Sequence, residues 1–305
     1  MENTVVKKKF RLRSRNPFQP FTIVDVIIGF ILLLLSLIII FPFYSGLMQS
    51  IVPQTIFRRS GFILIPPEIT WENYKVVFES QLIWNSMGVS VIVTILGTAY
   101  SMILNTMGAY GWNFNYPGSG LIKFLMIFTM FFGGGLIPFY LLMTNLGLKN
   151  SIFAMIFPAG VQLFYLIIVA DAFKNLPASL MEAARIDGAN DFTIFFRIML
   201  PLSLPILVTI GLYTAVDRWN EWYNAMLFIN DKNKFPLQLV LRSVINSASF
   251  ISSSNNPGST SAQEAIYGDG LRMATIIVTM VPVLLIYPFL QKYFLKGITL
   301  GAVKE

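Results

Sequence analysis

Glu182-Ala183-Ala184-Arg185-Ile186-Asp187-Gly188-Ala189, closed by Ile198-Met199-Leu200-Pro201, interrupts a chain that is otherwise mostly apolar. It lies between two apolar segments long enough to cross a bilayer, yet the stretch and its flanks carry Lys174, Glu182, Arg185, Asp187, Asp191 and Arg197. Charges are costly in hydrocarbon, so the segment reads as a folded loop in water beside a membrane. Pro177 suits a first helical turn, Ala183 and Ala184 are strong helix formers, and Asp187-Gly188 supplies a left-handed stop. Asn190 then caps a second helix, in which Phe192, Phe195, Phe196 and Met199 take the i, i+3, i+4, i+7 spacing of one apolar face. Leu176, Leu180 and Ala184 offer a smaller stripe before the turn. Ser179-Leu180-Met181-Glu182 also fits a capping box, which gives Glu182 a purely local alternative role.

Working outward, the 305 residues are 55% hydrophobic and only 12% charged, with mean hydropathy +0.66, the profile of a polytopic membrane protein. Cysteine and histidine are both absent, which excludes disulfides, thiolate metal sites, the usual general base and imidazole switches. The net charge of +7 does not point to nucleic acid, because Lys7, Lys8, Lys9, Arg11, Arg13 and Arg15 cluster just before an apolar span and suit a cytoplasmic anchor facing anionic lipid. A signal peptide is the competing reading, but residues 26–57 carry no charge, a run too long for a signal core.

Six spans are expected, near residues 23–46, 82–109, 121–146, 150–170, 202–216 and 273–293. The chain is thus expected to be an all-α membrane protein with both termini cytoplasmic. That division gives a basic segment at 1–22, a six-span body at 23–296 with its loop at 174–201, and a tail at 297–305. Gly133-Gly134-Gly135-Leu136-Ile137-Pro138 should break the third span, and Pro158-Ala159-Gly160 the fourth. Such breaks are tolerated only against protein or a cavity, so each serves either as a hinge beside a pathway or as a close helix contact. The Asp217-Arg218-Trp219-Asn220-Glu221-Trp222 cluster is expected to anchor a helix end, its charges pairing within the cluster. As drawn, the ionised side chains within the spans stand only near span ends: Asp25, Lys123 and Lys292.

The pairing of EAARIDGA with IMLP nine residues later resembles the cytoplasmic loop of permease subunits of bacterial ABC importers of the carbohydrate uptake type. The Gly297-Ile298-Thr299-Leu300-Gly301-Ala302-Val303-Lys304 run is similar to the tail of those permeases, although Glu305 departs from their usual glycine. Gly61 to Pro66 with Trp71-Glu72-Asn73-Tyr74 resembles their first external loop. The glycine-rich third span and the WNEW region look closest to an oligosaccharide branch.

The resemblance implies that Glu182, Ala183, Ala184, Arg185, Asp187, Gly188, Ile198, Leu200 and Pro201 dock into a separate ATPase. The chain has no GxxxxGK[ST] run, so it supplies no phosphate-binding loop of its own; ATP and Mg would sit on two ATPase subunits. A second, similar permease, most simply in a heterodimer, and an extracytoplasmic sugar-binding protein complete the expected assembly in a bacterial cytoplasmic membrane. Asn85, Asn105, Gln162, Tyr165 and Tyr213 are the candidates to line a sugar pathway, with interhelical hydrogen bonding as their alternative role. An ion-coupled secondary transporter of a neutral solute is the alternative function. An intramembrane enzyme lacks a catalytic pair at membrane depth, and a membrane scaffold remains the blandest reading.

Overall fold

The computed structural model describes residues 23–53, 56, 63–253 and 269–302. The basic cluster at 7–15, Gly61 and Phe62 of the first external loop, residues 254–261 of the Ser-rich tract and the last residues of the tail, 303–305, lie outside that set. The fold is all-α, and its described residues fall into two units, the first ending at Gly46. That unit consists of most of α1, Ile23–Ser50, a 28-residue helix apolar on every side around Pro42.

The second unit is organised on α3, Gln81–Trp112, whose 32 residues give a length of about 48 Å at 1.5 Å per residue. It is preceded by α2, Glu72–Glu79, a short helix within the expected first external loop. Along α3 the buried positions Ile83, Ser86, Ser90, Val93, Gly97, Ser101, Asn105 and Ala109 recur every three or four residues. Most of them are small, which lets neighbouring helices approach closely. At Gly97 an added Cβ would stand 2.8 Å from Cδ of Arg218.

The expected third span is two helices, α4, Ser119–Phe131, and α5, Leu136–Asn145, meeting at 115° across the glycine run. The fourth is likewise divided: α6, Phe153–Ile156, runs into a tight turn at Phe157–Ala159 and then meets α7, Leu163–Lys174, at 50°. After the loop helices, α8 (Ala178–Ile186), α9 (Asp191–Ile194) and α10 (Leu200–Leu202), comes α11, Leu204–Trp219. The helical segment Asp191–Leu202 bends by 81° into the one that follows. The bend comes at Ser203, so the chain stays helical through Pro201. Next are α12, Tyr223–Phe228, α13, Leu237–Ser253, and α14, Asp269–Ala302, which contains the whole of the expected sixth span.

Among the described residues two helices are long and apolar enough to cross a membrane, or up to five spans exist if each bent pair counts as one. The chief packing is of α11 and α7 against α3. One change to the expected charge distribution follows from the length of α11. It runs past residue 216 and carries Arg218 into the packed interior at 4% exposure, where Nη1 donates to the Met155 carbonyl at 3.3 Å. The pairing expected within the 217–222 cluster does not form. Asp217 accepts from the Tyr165 hydroxyl at 3.0 Å, and both Glu221 oxygens accept from Asn224 at 2.9 and 3.0 Å.

The break between α6 and α7 is held by one amide. The two N–H groups of buried Asn105 Nδ2 reach the Ser101 carbonyl and hydroxyl at 2.8 and 2.9 Å and the Gly160 carbonyl at 3.1 Å, while its Oδ1 accepts from the Gln162 N–H at 3.1 Å. Asn105→Leu should strand that carbonyl and that N–H at a cost of about 1–3 kcal/mol each. We expect the detergent-solubilised variant to melt several degrees below the parent. Coincident melting curves would show that the break does not depend on the amide.

Candidate functional site

The loop begins at Pro177, the N-cap of α8, and no side chain caps that helix. Ser179 sits inside the first turn, so the Ser179–Glu182 capping box does not form and Glu182 stays exposed. At the other end Asp187 is the C-cap and Gly188 adopts φ +82°. The Gly188 N–H donates to Arg185 O at 3.0 Å and the Ala189 N–H to Ala184 O at 2.9 Å, the paired bonds of a Schellman turn. A residue with a Cβ is strained in that conformation, which is the reason for glycine here.

Asn190 caps the second helix as expected: its Oδ1 accepts from the Thr193 N–H at 2.8 Å and from the Thr193 hydroxyl at 2.8 Å. The expected apolar face, however, is divided. Phe195 and Met199 are buried, but Phe192 and Phe196 are 70% and 57% exposed and Ile194 takes an inner place. The cause is a π-helical turn over Phe195–Met199 that widens the helix and shifts which residues face inward. Ile194, Phe195 and Met199 pack with Leu166, Phe173 and Ile210 of α7 and α11 in one buried cluster. Where the alternative is water, burying a side chain of this size contributes about 1.5–3 kcal/mol, so the rear of the loop is firmly part of the body.

Its front is solvent-facing. Glu182, Ala183, Arg185, Asp187, Gly188 and Pro201 are exposed, while Ala184, Ile198 and Leu200 are half-buried. Arg185 Nη2 approaches Asp191 Oδ1 at 3.4 Å, and the same oxygen accepts from the Tyr110 hydroxyl at 3.1 Å. The turn is thereby linked to the end of α3. A hollow of about 260 Å³ lies behind it, lined by Tyr110, Phe173, Met181, Glu182, Arg185 and Met199. Sequence reasoning passed over Ile186, which stands 86% exposed at the tip. Its signal was available, since at helical spacing an isoleucine at 186 meets only Glu182, Asn190 and the small Ala183 and Ala189.

The five candidate pathway residues separate into three places. Asn105 is buried, and its contact with Gln162 is made through that residue's backbone. Tyr165 and Tyr213 come together with ring centroids 6.3 Å apart, beside Asp217. Asn85 lies apart at the start of α3, accepting from Gln81 at 2.9 Å and donating to Asn233 at 3.4 Å.

A bundle of broken, membrane-length helices presenting a charged helix-turn-helix defines a membrane transport component that works with a partner. Residues 107–300 match the family described as binding-protein-dependent transport system inner membrane component, and the chain belongs to that family. It is 41% identical over 284 residues to the polygalacturonan/rhamnogalacturonan transport system permease protein YtcP of Bacillus subtilis (strain 168), covering 92% of this chain and 98% of that one. It is 29% identical over 278 residues to the arabinooligosaccharides transport system permease protein AraQ of Halalkalibacterium halodurans, covering 88% and 93%. A solved bacterial ABC transporter involved in the import of the acidic polysaccharide alginate contains a chain that superposes with TM-score 0.78 at 30% identity, over 90% of this chain and all of that one.

The protein is therefore a multi-pass inner-membrane permease subunit of an ABC importer. It is not itself catalytic: a partner ATPase uses the ATP, and a binding protein belongs to the system. The ion-coupled reading is set aside by that membership.

Replacing Asn190 by Ala removes the cap of the second loop helix, a loss of about 1 kcal/mol. Amide exchange over residues 191–199 should accelerate, and Asn190→Asp should restore the slower rate. Exchange unchanged in the Ala variant would show that tertiary packing alone holds this helix.

Proposed function

We propose that this chain translocates an oligosaccharide delivered by an external binding protein, and that residues 174–201 couple it to the ATPase. The observation that carries the reading is the two-sided loop. Glu182, Arg185, Ile186 and Gly188 face water, while Ile194, Phe195 and Met199, a few residues on, lie in the core shared by α7 and α11. Glu182 offers a charge to a basic partner, Ala183 allows close approach, and Ile186 offers an apolar knob at the tip.

In this reading the chain has six spans with cytoplasmic ends, divided as residues 1–22, 23–296 and 297–305. It pairs with a second, similar permease, and two ATPase subunits carrying ATP and Mg dock on the two coupling loops. Oligosaccharide is the cargo because the relatives compared above are named for polysaccharides and oligosaccharides. Tyr165 and Tyr213 supply aromatic faces and hydroxyls suited to a sugar ring.

Gly188→Pro cannot adopt the observed φ, and Glu182→Lys reverses the charge offered to the partner. Both should insert normally yet lose sugar uptake, with ATP hydrolysis no longer stimulated by the loaded binding protein. Normal uptake by either variant with the ATPase still bound would remove the coupling role. For the pathway, Gln162→Leu combined with Tyr165→Phe should raise the half-saturating sugar concentration while basal hydrolysis and assembly persist. Unchanged transport would move the pathway onto the partner permease.

A further inference from the structure

Arg242 lies flat on an aromatic ring, with its guanidinium carbon 3.6 Å from the centroid of Trp222. Arg242 is exposed and Trp222 half-buried, packed at the edge of a core cluster that contains Ala225 and Leu239. The ring is therefore fixed, and the guanidinium spread on it is preorganised: stacking consumes the face of the fork and leaves its N–H edge directed outward. An outward N–H fork matches a carboxylate in bidentate fashion.

No protein carboxylate fills that role among the described residues. The nearest described carboxylate in sequence, Asp231, accepts from the Asn233 N–H at 3.0 Å and pairs with Lys234 at 4.0 Å; Glu221, beside Trp222, has both oxygens engaged by Asn224, and Arg242 forms no ion pair with a described residue. On α13 the residues one turn to either side are Gln238 and Asn246, so the spacing i, i+4, i+8 places an amide, a guanidinium and a second amide along one helix face. Tyr223, 43% exposed, packs edge-on to Trp222 with centroids 5.6 Å apart. Amide hydrogen-bonders beside an aromatic and a cation are groups that grip a charged sugar.

Position agrees with chemistry. The sixteen residues of α11 separate the coupling loop from this cluster by about 24 Å, most of a bilayer's hydrocarbon thickness. The cluster thus sits on the side opposite the ATPase, where cargo arrives.

We propose that Arg242, stacked on Trp222 and flanked by Gln238 and Asn246, receives a carboxylate of an acidic oligosaccharide, a uronate, at the outer mouth of the permease. The proposal rests on the oligosaccharide-importer reading above and narrows it from sugars in general to carboxylated ones. A sugar is favoured over an acidic side chain of the binding protein because the amides and the aromatic suit hydroxyls and ring faces, whereas an ion pair with a protein needs neither.

The test uses the complete complex in proteoliposomes, with its ATPase and binding protein, and two probes: a trimer of galacturonic acid and the corresponding neutral galactose trimer. The acidic trimer should stimulate ATP hydrolysis and uptake in the parent. Arg242→Gln should raise its half-saturating concentration about tenfold or more, the loss expected for a charge-assisted hydrogen-bonded pair. Trp222→Leu should do so to a lesser degree, and Arg242→Lys should recover part of the loss. Cross-linking of sugar-free binding protein to a cysteine at Asn233 should be unaffected by any of them.

An unaltered response in Arg242→Gln overturns the proposal. A parallel fall in cross-linking overturns it too, because the carboxylate partner then belongs to the binding protein. If the parent responds to the neutral trimer and not the acidic one, the acidic cargo is wrong and the importer reading stands. Response to neither trimer would sink the oligosaccharide reading itself.

Discussion

Backbone polar groups cannot be left unpaired at membrane depth, and the break between α6 and α7 is where this protein meets that constraint most sharply. The turn at Phe157–Ala159 and the extended Gln162 interrupt the helical ladder, which exposes the Gly160 carbonyl and the Gln162 N–H. Asn105 answers both from across the helix interface with one side-chain amide. The approach is close enough that a Cβ at Gly160 would fall 2.4 Å from the Tyr100 ring. Glycine and asparagine are therefore a matched pair, one permitting contact and the other repairing the hydrogen bonds that the break removes.

A second polar tie works at the other end of the same helix interface. Arg218 runs its apolar stem over Gly97 and delivers Nη1 to the Met155 carbonyl, so a residue of α11 spans α3 and reaches α6. A buried cation without a carboxylate at salt-bridge distance is expensive, and its Nε has no partner among the described residues. Its retention makes sense as geometry: one side chain that touches three helices ties the register of α11 to α3 and α6. Asp217, the preceding residue, takes the Tyr165 hydroxyl instead, so adjacent charges serve different neighbours, α7 and α6.

Much of this was legible in the residues wherever a local rule has a single solution. Gly188 after Asp187 and Asn190 two positions on dictate a left-handed stop and a cap, and both formed. The glycine run at 133–135 and the Pro158-Ala159-Gly160 step dictated breaks, and both spans broke there. What sequence could not give was the outcome of packing between distant segments. The π turn at Phe195–Met199 exists because Ile194, Phe195 and Met199 all fit the cluster under α7 and α11, and no local propensity announces it. Arg218 looked interfacial because charge was used to end the span, whereas the helix continues to Trp219 and buries it. The candidate pathway residues were grouped by composition alone, and three-dimensional placement joined Tyr165 to Tyr213 while leaving Asn85 elsewhere.

The same packing decides how a displacement at the loop is felt. A hinge absorbs motion where few contacts cross it, but the loop's second helix has its inner residues in the cluster with Phe173 and Ile210, and its Asp191 is tied to Tyr110 on α3. Packed interiors transmit strain because they have little room to deform. Moving the turn at Gly188 therefore shifts α7 and α11 together, or else exposes Phe195 and Met199. The bend at Ser203 and the break beside Asn105 are the places where those two helices can change direction without losing that cluster. If the loop couples to a partner as proposed, stiff packing between it and the breaks would turn a push on the small exposed turn into a change in the angle between helix halves.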